Sequence, residues 1–65
     1  MRIGIYGYGN LGRGVELAVR ANADMELVGV FTRRPPETVK TVTGVPVFAA
    51  ASLTEFVGKI DVLIL

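Results

Sequence analysis

The chain has 65 residues, 51% hydrophobic and 20% charged, with seven Lys and Arg against six Asp and Glu for a net charge of +1. That much apolar surface excludes intrinsic disorder, and the near-neutral balance gives no overall field for a nucleic acid backbone or an acidic membrane, so any anion site must be local. With neither Cys nor His, disulfides, thiolate sites and imidazole ligands are ruled out, and no metal site is expected.

A chain this short is one domain at most. It buries only roughly 60% of the surface its unfolded form exposes, so marginal stability is expected. The apolar opening, Met1 to Tyr6, is interrupted by Gly7 and Gly9 too early for a signal peptide, and nothing reaches the ~20 apolar residues of a membrane span. A soluble cytoplasmic protein is the expectation. Arg2-Ile3-Gly4-Ile5-Tyr6 suits a buried parallel strand. From Asn10 to about Ala21 the positions Leu11, Val15, Ala18, Val19 and Ala21 form a helical apolar stripe, with Arg13, Glu16 and Arg20 on the opposite side. Asn22-Ala23-Asp24 makes a turn, and Met25 to Phe31 is a second strand.

Pro35-Pro36 ends that strand, since proline lacks the amide a central strand needs, and 37–44 is a loop with at most a helical turn. Val45-Pro46-Val47-Phe48 is a short extended segment. Ser52 and Glu55 have capping-box spacing, which predicts a short helix from about Leu53 to Gly58. Asp61 to Leu65 is then a third parallel strand by the right-handed crossover rule. The fold class is α/β, a Rossmann-type three-layer fold with a parallel sheet, of which residues 1–65 are the N-terminal βαβ(α)β portion.

The glycines of Gly7-Tyr8-Gly9-Asn10-Leu11-Gly12 gain meaning from that context, because they follow a strand, open a helix and precede a second strand. Gly7 makes the turn, Gly9 admits a pyrophosphate, Gly12 lets helix and strand pack, and the helix N-terminus faces the anion. Gly14 is left to helix packing. Some 20 residues on, an NAD-preferring fold places a carboxylate on the ribose 2′-hydroxyl. Here stand Thr32, Arg33 and Arg34, and guanidinium groups match the oxygens of a 2′-phosphate. NADP is the cofactor these residues imply. Two charged hydrogen bonds would favour it over NAD by about a hundredfold. Tyr8 has two readings, flanking the cofactor or packing on a neighbouring loop. Arg13 reads as a solvated arginine, with contact to the pyrophosphate as the alternative. No catalytic acid-base pair or nucleophile stands out, so the chemistry would come from the cofactor and from residues outside the 65.

Gly7-Tyr8-Gly9-Asn10-Leu11-Gly12-Arg13-Gly14-Val15-Glu16 followed by Leu27-Val28-Gly29-Val30-Phe31-Thr32-Arg33-Arg34 resembles meso-diaminopimelate dehydrogenase. The similarity continues through Val45-Pro46-Val47-Phe48 to Asp61-Val62-Leu63. The resemblance implies a cytoplasmic homodimer that deaminates meso-2,6-diaminopimelate oxidatively and reversibly, with NADP, to L-2-amino-6-oxopimelate and ammonia, on the route to lysine and peptidoglycan precursors. It also implies that Gly7, Tyr8, Gly9, Asn10 and Leu11 line the pyrophosphate and that Thr32, Arg33 and Arg34 hold the 2′-phosphate. Thr32 stands where serine is common in the family, a change that keeps the hydroxyl.

Two other readings share the same residues: a different NAD(P)-dependent dehydrogenase or reductase, and a dinucleotide-sensing module without chemistry. Because the chain stops on an apolar strand, it reads as a fragment whose substrate and dimerisation domain lies elsewhere. With three strands in the order 3-2-1, the first strand would also have an open edge.

Overall fold

The computed structural model describes the backbone of residues 1–65 and the side chains of all but residues 10 and 11. β1 (Arg2–Tyr6) leads through a glycine turn into α1 (Asn10–Arg20), and β2 (Glu26–Thr32) follows. A 3-10 turn at Pro36–Thr38, β3 (Val47–Ala49), a 3-10 helix at Ala50–Phe56 and β4 (Val62–Ile64) complete the chain.

All strand pairs are parallel and the sheet order is β3-β2-β1-β4. The expected extended segment is thus a strand in its own right, pairing Val30 with Val47 and Phe31 with Phe48. The last strand is therefore the fourth, and it lies on the far side of β1, pairing Ile3 with Val62 and Ile5 with Ile64. This corrects the expected open edge, since β1 is hydrogen-bonded on both sides and the edges fall to the three-residue strands β3 and β4.

The two faces of the sheet are filled differently because side chains alternate along a strand. On one face Ile5 and Val30 join Val45, with Tyr8 and Val15 packed against them from the glycine turn and α1. On the other, Phe31 meets Phe48 at 5.5 Å and Phe56 at 5.1 Å between ring centroids, distances typical of stacked and edge-on pairs. That cluster brings the second 3-10 helix onto the sheet and completes three layers, so the fold is the expected Rossmann-type α/β arrangement.

The capping box at Ser52 and Glu55 does not form. The 3-10 helix starts at Ala50 behind Ala49 and has no side-chain cap, so both residues sit inside it rather than at its entrance. Aromatic packing of Phe56, not capping, holds this segment. Gly14 is also not a packing position, because a Cβ built there meets nothing within 4 Å.

Candidate functional site

The turn after β1 is shaped by Gly7, whose φ of 87° lies in the region that excludes most side chains and whose amide donates to Phe31 O at 2.7 Å. Gly9 is the extended residue that precedes α1, and its carbonyl accepts the helix's first bond from Arg13 N at 3.0 Å. A Cβ on Gly9 would project into open space, whereas one on Gly12 would lie 3.1 Å from Gly7 O. The two positions thus have different duties: Gly12 closes the helix onto the turn, and Gly9 leaves room in front of the helix N-terminus, where unsatisfied amides favour an anion. Asn10 and Leu11 begin α1, and their side chains lie outside the described residues.

Two clefts flank this turn. One, of about 200 Å³, is lined by Ile5, Gly7, Gly12, Val15 and the β4 residues Ile64 and Leu65, among others. It opens at the C-terminal ends of the paired strands β1 and β4, the point of strand-order reversal at which open α/β sheets bind ligands. The other, of about 380 Å³, lies on the β2 side and is lined by Tyr8, Gly9, Arg13, Arg34, Thr38, Val39 and Lys40. Arg34 spans from the end of β2 to the glycine turn, its Nη2 donating to Tyr8 O at 2.8 Å. Arg13, Arg34 and Lys40 meet at this cleft, and among the described residues no carboxylate pairs with them; the ion pair present is Arg2 with Asp61, at 3.3 Å. The donor set therefore fits a phosphate-bearing group.

Of the sequence candidates, Tyr8, Gly9 and Arg34 come together on the second cleft, with Arg13 beside them. Thr32 is 3% exposed, and its Oγ1 accepts from Arg34 N at 3.1 Å, so it shapes the bend that carries Arg34. Arg33 is exposed and does not line either cleft. The Tyr8 hydroxyl packs on the neighbouring loop, donating to Glu16 and accepting from Val42 N at 3.1 Å, while the residue also lines the second cleft.

Glu16 reverses the expectation that placed it on the polar face, since it is fully buried. The row Gly12, Val15, Glu16 and Val19 turns inward, and Leu17 is half exposed instead. The carboxylate accepts from Tyr8 Oη, Val42 N, Thr43 Oγ1 and Thr43 N, the last at 2.7 Å. Burial by itself would push its pKa up, but the bonds from Thr43, Tyr8 and the Val42 amide outweigh it and hold the group below the usual carboxylate range. Burial, and then the bond to Glu16, push the Tyr8 phenol up. Sequence reasoning missed Glu16, Thr38 and Lys40. The i+4 spacing from Gly12 was a signal for Glu16, but its partners at 42 and 43 are distant in sequence.

The glycine turn, the parallel sheet and the cleft at the strand-order reversal define a Rossmann-type unit, a class of βαβ fold that receives dinucleotides. No family model matches the chain. Over its whole length it is 56% identical to the meso-diaminopimelate D-dehydrogenase of Acetivibrio thermocellus, of which it covers 20%. Among solved structures, 97% of the chain superposes on an engineered D-amino acid dehydrogenase bound to NADP+, with a TM-score of 0.85, 44% identity and 18% of that chain covered. The diaminopimelate dehydrogenase of C. glutamicum in complex with diaminopimelate gives a TM-score of 0.81 at 43% identity, again over 97% of this chain and 18% of the other. In sequence and in fold the chain therefore matches the Rossmann portion of meso-diaminopimelate dehydrogenases, and it spans about a fifth of the length of the curated relatives it matches.

Proposed function

We propose that the chain is the N-terminal, nucleotide-binding portion of an NADP-dependent meso-diaminopimelate dehydrogenase, acting as a cytoplasmic homodimer. The observation that carries this reading is the position of Arg34 at the end of β2, bonded to Tyr8 O across a cleft that also holds Arg13 and Lys40. An NAD site needs a carboxylate there, whereas a guanidinium suits a 2′-phosphate. Similarity along the whole of this chain to one part of dehydrogenases of this name supports the substrate.

In this reading Gly9 and the start of α1 receive the pyrophosphate, with Gly7, Tyr8, Asn10 and Leu11 around it and Gly12 keeping the helix close. Arg34, with Arg33 and Thr32, holds the 2′-phosphate, and the cleft between β1 and β4 takes the half of the cofactor that reacts. When bound, NADP+ would accept the hydride and water would replace the amino nitrogen, so that meso-diaminopimelate, NADP+ and water give L-2-amino-6-oxopimelate, ammonia, NADPH and a proton. The substrate-binding and dimerisation residues belong to a further domain. An assay of the full-length protein for NADP reduction with meso-diaminopimelate tests the whole reading, and no reduction with this substrate would overturn it.

A further inference from the structure

Thr38, Val39 and Lys40 line the cationic cleft, and the segment 39–45 that begins there is anchored at three levels. Val39 and Val45 are both 8% exposed and fix its ends. Thr41 Oγ1 donates to Val45 O at 3.0 Å and closes the loop on itself. Between them, Val42 and Thr43 are tied to the Glu16 carboxylate on α1. A buried carboxylate is costly unless its lone pairs are filled, and here four donors fill them with charge-assisted bonds. The same carboxylate holds the Tyr8 hydroxyl, so one group fastens the segment that follows Lys40 to the glycine turn.

Lys40 lies between the Val39 anchor and the loop tied at 41–43, on the cleft shared with Arg34 and Arg13. Its backbone cannot withdraw without breaking one of those anchors. From this geometry we infer that Lys40 is a third cation for the cofactor's 2′-phosphate, a determinant of NADP over NAD, and that Glu16 is the positioning residue that holds it there. The inference deepens the NADP reading and rests on it.

The test is fluorescence titration of the full-length protein with NADPH and NADH. Lys40→Ala should weaken NADPH by about tenfold, the value of one charged hydrogen bond, and leave NADH within about twofold. Lys40→Arg should keep the preference. Glu16→Gln should also weaken NADPH selectively, and the double variant Glu16→Gln with Lys40→Ala should lose no more than Lys40→Ala alone, because the first residue acts through the second. Thr43→Val, which removes one donor and leaves the carboxylate in place, should give a smaller loss in the same direction. Equal binding of both cofactors by the unaltered protein would overturn the NADP reading and this inference with it. A preference for NADPH that Lys40→Ala leaves unchanged would overturn the inference alone. Equal weakening of both cofactors by Glu16→Gln and by Thr43→Val would reduce Glu16 to a structural group.

Discussion

At the scale of single residues, the two neighbouring arginines are not equivalent. Arg34 is drawn onto the cleft by its bond to Tyr8 O, while Arg33 stays outside its lining. Arg34→Ala should therefore lower the NADP to NAD ratio of kcat/KM by about tenfold or more, and Arg33→Ala by less, as steady-state kinetics with both cofactors would show. Gly9→Val should block NADPH binding with little change in the circular dichroism spectrum, because its side chain enters open space rather than packed atoms. Unchanged affinity would mean that Gly9 serves only the turn. Glu16 brings a pH dependence whose sign follows from its lowered pKa. The unfolded chain binds the proton more readily than the folded one, so its stabilisation is present above about pH 4.3, the unfolded value, and is lost as pH falls through the folded one. Urea midpoints between about pH 3 and pH 7 should fall more steeply in the unaltered protein than in Glu16→Gln. The sequence made the arginine pair legible through its distance from the glycines. It hid Glu16, because a carboxylate reads as solvated until its donors are known.

At the scale of elements, α1 follows its periodicity in extent but not in facing. Its predicted span is met to within a residue, and Val15 and Val19 do turn inward. Ala18 and Ala21 are exposed, however, because the close approach at Gly12 rotates the Gly12-Val15-Glu16-Val19 row onto the sheet. Gly14 then lies on the exposed side with no neighbour. Gly14→Ala should raise stability by about 0.5 to 1 kcal/mol, since glycine in a helix interior loses more backbone freedom on folding, and thermal unfolding would register it. The second 3-10 helix departs further from expectation. Its capping signal is local, whereas the contacts that place it join Phe56 to Phe31 and Phe48 on other elements.

At the scale of the molecule, the strand order decides which parts are protected. β1 and β2 are each paired on both sides, and β3 and β4 each on one. In the 65-residue chain, amide hydrogen exchange should be slowest at Ile3 to Ile5 and at Val30 to Phe31, and faster along Val62 to Ile64. Exchange in β1 as fast as in β4 would show that the β1–β4 pairing does not persist. By itself the sequence determined the βαβ unit, the glycine turn and the basic character of the segment after β2, because period, turn chemistry and charge are local properties. Only the tertiary structure decided that β4 lies beside β1, that Lys40 joins Arg34 at one cleft and that Glu16 is buried. Each of these depends on residues far apart in the chain meeting across the sheet, and a strand of three residues carries no local mark of the neighbour it will pair with.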